Sequence, residues 1–235
     1  LTYEEVMEAL EHMGNEQTKN IYLRHGAQEP FFGVKIGDMK KLVKHVKKDQ
    51  NLAITLYNSG NHDAMYLAGL SIDPKKMKKE TLQEWVEKAN WYMLSEYTVA
   101  NVTAESNYPL ELAREWIQSD KENIASAGWS AYAGYISITS DDELYLEEIK
   151  TYLHQIEENI HQERNRVRYT MNGFVISVGA HVIPLLEEAK KVATSIGKVH
   201  VDVGNTACKV PMATDYIKKI EEKNRVGAKR KTCIC

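Results

Sequence analysis

Apolar residues recur along most of this chain at spacings of three and four, the period of a helix buried along one face. Val6, Leu10 and Met13 mark the first such stripe, over residues 3–13. A second helix over 15–25 is closed by Gly26. The loop 27–37 that follows carries Phe31, Phe32 and Val34, too apolar to be left in solvent. Asp38 reads as the cap of a third helix through Met39, Leu42, Val43 and Val46, with lysines on its other face. Short helices are predicted over 52–58 and 62–71, and Leu82, Trp85 and Val86 form the seam of one over 79–89. The helix that opens at Trp91 runs through Val99 and Val102 to about Ser106. Pro109 introduces residues 110–119, and 122–138 carries Ile124, Trp129, Tyr132 and Ile136. Asp141 and Asp142 open a helix over 143–160, and 166–180 with 183–196 makes a further pair. Only 198–210 breaks the pattern. There His200-Val201-Asp202-Val203-Gly204 alternates like an extended segment, before Pro211 restarts a last helix.

Successive helix pairs span about 30 to 45 residues with short connections, the length of a stacked helical repeat. The expected architecture is therefore all-α, a HEAT/armadillo-like α-solenoid of antiparallel helix pairs around a concave groove. A two-domain α-bundle is the structural alternative. The solenoid reading makes residues 1–226 one domain, with 198–226 as a C-terminal extension and 227–235 as a disordered tail.

Composition narrows the classes without choosing one. Apolar residues make up 43% and charged residues 27% of the 235, ordinary values for a globular protein. No apolar run approaches the roughly 20 residues of a membrane span. The stretch LTYEEVMEAL reads as an acidic amphipathic helix and not a signal peptide. Cys208, Cys233 and Cys235 make neither a disulfide framework nor a zinc spacing, so the cytosol is the expected compartment. A net charge of −3 argues against coating by nucleic acid through bulk charge but leaves room for a local basic face. The phosphate loop, the dinucleotide fingerprint and the HExxH motif are absent. His200 and Asp202 share a face but have no third ligand in view, so no metal or other cofactor is expected.

Two stretches carry candidate chemistry. In Trp91-Tyr92-Met93-Leu94-Ser95-Glu96-Tyr97, the side chains of Tyr92 and Glu96 share a helix face four residues apart. A ring beside an anion suits a flat, cationic partner. The plainer reading makes Trp91 and Tyr97 core, Tyr92 half-buried and Glu96 a solvated first-turn acid. In the second stretch Arg164, Arg168 and Asn172 recur every four residues as a cationic, hydrogen-bonding strip. Such a strip matches a nucleic-acid backbone, or else pairs with Glu157, Glu158 or Glu163 just before it.

The stretch Phe31-Phe32-Gly33-Val34-Lys35-Ile36-Gly37-Asp38-Met39-Lys40-Lys41-Leu42 resembles a motif of the DNA alkylation repair family, the HEAT-like alkylpurine DNA glycosylases and their relatives. The resemblance continues, in the family's order, at Trp91-Tyr92, at the helix end holding Trp116, Ile117, Ser119 and Asp120, and at Gly173-Phe174. Residues 196–211 resemble an extension found in one branch. What this implies is a lesion site made of an aromatic pair, Trp91 and Tyr92, a carboxylate, Glu96, and a later aromatic, Phe174. The rings would hold the sugar of an N3- or N7-alkylated purine while the acid stabilises cationic character as the glycosidic bond breaks. The chain departs from the family pattern at three points: tyrosine for tryptophan at Tyr92, glutamate for aspartate at Glu96, and Ser126 near the arginine position. A carboxylate displaced by one carbon can lower a rate ~100-fold. DNA is the expected partner, with Arg164, Arg168 and Asn172 on its phosphates. Three readings stay open: an alkylpurine glycosylase, an inactive relative binding damaged or branched DNA, and a protein-interaction solenoid.

Overall fold

In the computed structural model, which describes residues 1–234, the chain is a stack of helices with no strand among the described residues. The helices are α1 (Tyr3–Met13), α2 (Glu16–Arg24), α3 (Ile36–Val46), α4 (Gln50–Asn58), α5 (His62–Ser71) and α6 (Lys79–Lys88). A π-helical segment, Met93–Val99, leads directly into α7 (Ala100–Glu105). Then come α8 (Pro109–Ile117), α9 (Glu122–Ile138), α10 (Leu146–Asn159), α11 (Asn165–His181), α12 (Leu186–Ile196) and α13 (Ala213–Glu222). None is long and apolar enough to cross a membrane by itself.

The α5 helix, the π-segment, α9, α11 and α13 pack one on the next and form the inner row of the solenoid, while α8, α10 and α12 lie behind them. The core falls into two clusters, one holding Val6, Leu10, Trp85 and Trp116 and the other holding Trp129, Phe174, Val178 and Ile217. The central helix α9 is rich in small residues because its neighbours come close. A Cβ on Gly128 would lie 2.6 Å from the Ile117 backbone nitrogen, so α8 and α9 meet there backbone to backbone.

Several starts follow local chemistry. Thr2 and Glu5 form a reciprocal capping box, and Asn15, Asp49 and Asn61 cap α2, α4 and α5 with their side-chain oxygens. Asp38 does not cap α3: Lys35 holds that position, and Asp38 sits inside the first turn paired with Lys41 at 2.7 Å. Asp141 and Asp142 form a separate 3-10 turn ahead of α10.

The helix expected from Trp91 to about Ser106 is wound more loosely over its first part. Thr98 Oγ donates to the Met93 carbonyl five residues back at 3.0 Å, and five of the seven residues of the π-segment are buried. The wider turn directs Leu94, Ser95, Glu96, Thr98 and Val99 inward together, which a 3.6-residue period would not.

The apolar loop 27–37 is buried as its composition requires, and one carboxylate organises it. Asp63, 2% exposed, accepts the backbone N–H groups of Phe32, Gly33 and Val34 at 2.6, 3.0 and 3.1 Å. Gly33 adopts φ +78° and its Cα lies against the Lys19 backbone, where any Cβ would clash. Segment 198–210 is extended, as its alternation suggests. Residues 227–234, expected to be disordered, instead form an ordered strap, while Cys235 lies outside the described residues. The Arg230 N–H donates to the Ser137 carbonyl at 2.8 Å, Lys229 pairs with Asp141 at 2.9 Å, and Cys233 is fully buried beside Gly134 and Ser137. The Glu105 carboxylate accepts from Cys233 and Ile234. The side-chain and backbone donors of the strap find acceptors on α7 and α9, which a polar tail composition does not reveal.

Asp63→Ala leaves three buried N–H groups without an acceptor, and a cost of ~3 kcal/mol or more follows. A lower urea midpoint at unchanged m-value is the expected readout.

Candidate functional site

The carboxylate singled out in the sequence is buried deep in the inner face. Glu96 is 3% exposed, and both of its oxygens are taken by one arginine. Arg166 Nε donates to one oxygen at 3.0 Å, and Nη2 reaches both, at 2.9 and 2.8 Å. The guanidinium lies between two rings, with its carbon 4.3 Å from the centroid of Tyr92 and 4.3 Å from that of Tyr169. Such stacking adds ~0.5–2 kcal/mol per ring, more where water is excluded. The Arg166 backbone N–H in turn donates to Glu122 at 2.8 Å, fixing the start of α11 against the start of α9.

The supports of this cluster reach the first hairpin. Tyr92 is hydrogen-bonded through its hydroxyl to His25 Nδ1 at 2.9 Å. Trp91 Nε1 donates to the His25 carbonyl at 2.9 Å, and its indole stacks on the His62 ring with centroids 5.3 Å apart. His62 Nε2 bonds to the Asn90 side chain at 2.8 Å. Trp91 is therefore a backing plate, 7% exposed, and Tyr92 is the ring that faces the cleft.

The electrostatics follow from burial. Desolvation pushes the Glu96 carboxyl up to about 7, against the pull of the adjacent Arg166. The same cause raises the Tyr92 and Tyr97 phenols. A carboxylate that stabilises a developing cation must present negative charge to it. Here the guanidinium cancels that charge and covers both oxygens.

The structure brings together Tyr92 and Glu96 from the predicted site and separates the rest. Phe174 is fully buried, edge-on to Trp129, Tyr132 and Tyr152 in the core. Ser126 is buried within α9, its hydroxyl donating to the Asn123 carbonyl at 3.2 Å. Arg164 donates to the Ser119 and Asp120 carbonyls at 3.1 and 2.6 Å, and so caps the end of α8. It also contacts Glu163 at 3.5 Å, the preceding acid. Asn172, 1% exposed, donates to the Pro211 carbonyl at 2.9 Å. Arg168 is half-buried, its Nε enclosed by protein, and lines neither groove of the inner face. The three side chains therefore do not form one open strip, since α11 packs against α9, α12 and α13 and Asn172 is buried.

Arg166, Tyr169 and His25 are the residues that pattern reading missed. Arg166 and Tyr169 stand three apart, so an arginine–tyrosine pair on one face was the available signal. The extension 198–210 lies across the cluster, pinned by α11. Asn165 exchanges hydrogen bonds with the backbone of Asp202 at 2.8 and 2.7 Å, and Asn172, seven residues on along the same face, holds Pro211. Between the extension and α2 lies a cavity of about 390 Å³ whose walls include Arg24, His25, Tyr92, Arg166, Cys208 and Lys209. His200 and Asp202 gather no third ligand: no group of three metal-ligating side chains exists among the described residues.

Comparison with known proteins places this geometry in context. A sequence model described as DNA alkylation repair enzyme matches residues 6–195. An uncharacterized protein of Listeria monocytogenes is 36% identical over 231 residues, covering 96% of this chain and 100% of the relative. An uncharacterized protein of Listeria innocua is 34% identical over 233 residues, covering 97% and 100%. A solved structure superposes with a TM-score of 0.92 at 38% identity over 100% of both chains. It is described as a new family of proteins related to the HEAT-like repeat DNA glycosylases with affinity for branched DNA structures.

The raised Glu96 carboxyl sets a pH dependence. As pH rises from 4.5 to about 7 the unfolded chain has lost a proton that the folded chain keeps, so stability falls across that window and levels off above it. Denaturation curves of the wild type, read against Glu96→Gln, show this decline. Arg166→Met strands the buried acid and costs about 3–5 kcal/mol at about pH 8, and less at about pH 5, where Glu96 holds its proton.

Proposed function

Because the chain belongs to the DNA alkylation repair enzyme family, we propose that it binds branched DNA along its inner face and does not excise bases. The observation that carries this reading is the state of Glu96. In a glycosylase of the kind the motifs resemble, a carboxylate at this place must be open to the sugar and carry its charge. Glu96 is closed off by Arg166, whose guanidinium is plated by Tyr92 and Tyr169, and is 3% exposed. Its geometry supports a latch between the middle of the solenoid and α11, 70 residues away along the chain.

The DNA-binding half of the proposal is supported by likeness over the whole length to a structure whose family is described as having affinity for branched DNA. The inner face supports it as well, since cations from α13 and the strap, Lys219, Lys223, Arg225 and Arg230, line it beside the single carboxylate Glu96. That arrangement reconciles a net charge of −3 with an anionic polymer as partner, the basic side chains being gathered on one surface.

Gel-shift titrations are expected to place three-way and four-way junctions at least about tenfold tighter than linear duplex of equal length, a difference of about 1.4 kcal/mol. Methylated DNA is expected to release no 7-methylguanine or 3-methyladenine above background. Release that is abolished by Glu96→Gln would restore the glycosylase reading, and equal affinity for junction and duplex would remove the branched-DNA one.

A further inference from the structure

The inner face carries a second, larger groove beside the Glu96 cluster, and its two walls differ in kind. One wall is α9 and α11, where Ser130, Thr170 and Ser177 contribute small hydroxyl side chains and Gly134 none. At Gly173 nothing lies within 4 Å of where a Cβ would stand, so the floor is open. The other wall is α13 with the strap that follows it. The match to the alkylation-repair family ends at residue 195, and this wall is built entirely from residues beyond it.

Charge is sorted across α13. Of its three acids, Glu221 and Glu222 pair with Lys190 at 3.1 Å and Lys218 at 4.0 Å, and Asp215, in the first turn, is outside the groove lining. Lys219, Lys223 and Arg225 line the groove, exposed and outside those pairs. Two phenol rings stand along the same trough, Tyr216 at 49% exposure on α13 and Tyr97 at 40% where the groove meets Glu96. The strap keeps this wall in place through the Lys229 and Arg230 contacts to α9 and its end, and through the Gly227 N–H, which donates to the Ala180 carbonyl at 2.9 Å.

We propose that this groove takes an unpaired strand of DNA, the single-stranded arm of a branched substrate. The inference rests on the DNA-binding reading above and names the part of the substrate that enters. The volume is about 930 Å³. Clefts of ~300–1,000 Å³ enclose single drug-sized ligands, so this one has room for a few nucleotides in a row. Cations spaced along one wall with exposed rings between them are the means by which proteins hold single strands: phosphates follow the charges and bases stack on the rings, whatever their sequence. The small polar residues of α9 and α11 leave room for the sugar and base edges. A continuous duplex meets α13 as an obstruction, whereas a junction can feed one frayed or unpaired arm between the walls.

Fluorescence anisotropy with a three-way junction bearing one unpaired arm, and with the same junction after that arm is made duplex by a complementary strand, tests the proposal. The unpaired-arm junction is expected to bind about tenfold tighter, with a salt dependence to match. In the triple variant Lys219→Ala, Lys223→Ala and Arg225→Ala that preference is expected to vanish and the salt slope to fall by about 2–3. The three side chains are exposed, so an unchanged thermal melt certifies the fold of the variant. Equal affinity for the two junctions, or a triple variant that keeps the preference, overturns the single-strand groove while leaving branched-DNA binding intact. Failure of the wild type to bind either junction overturns both readings.

Discussion

The Glu96–Arg166 pair is the constraint around which the middle of the molecule is arranged. A glutamate 3% exposed is tolerable only if its charge is matched and its lone pairs are occupied, and one guanidinium does both. The demand spreads outward. Arg166 must arrive from α11, so α11 must start at a fixed height against α9, which the Glu122 carboxylate secures by accepting the Arg166 backbone N–H. The faces of the guanidinium, poorly hydrated once inside, need flat partners, and Tyr92 and Tyr169 supply them. The loosened winding of Met93–Val99 is what lets Glu96 point inward along with the apolar residues around it.

Behind this pair the N-terminal hairpins act as a brace. Asp63 gathers three successive N–H groups of the Phe32–Val34 turn, and His62, its neighbour, lies between Phe31 and Trp91. The family-like motif at residues 31–42 thus supports the indole of the aromatic pair through Phe31 and His62, while His25, at the end of α2, holds the Tyr92 hydroxyl and the Trp91 indole N–H.

Beyond residue 196 the chain adds two elements that the repeats do not require. The extension crosses back to α2 over the Arg166 cluster, pinned by Asn165 and Asn172, and α13 with its strap walls the larger groove. Each covers part of the inner face and narrows what can reach it. A solenoid with an open inner face suits a broad partner; one with these additions suits a thinner one.

The sequence by itself determined the helices, their approximate ends and the stacked-repeat architecture, because a 3.6-residue apolar period is local and survives in every repeat. It also placed Tyr92 and Glu96 one turn apart on one element, and both reach the same Arg166 guanidinium. Regular spacing did not reveal what surrounds Arg164, Arg168 and Asn172: α11 is packed by three helices, Arg164 holds the carbonyls that follow α8, Arg168 is half-buried and Asn172 is buried on the Pro211 carbonyl. Phe174 likewise fell to the core, where hydrophobic burial outweighs any role at a surface. Only the tertiary structure decided that Arg166, 70 residues from Glu96, would be the partner that neutralises it, that residues 227–234 would be strapped to α7 and α9, and that the basic residues of α13 would face a groove. Those pairings depend on how hairpins stack in space, and no periodicity along the chain encodes which side chain a distant helix will present.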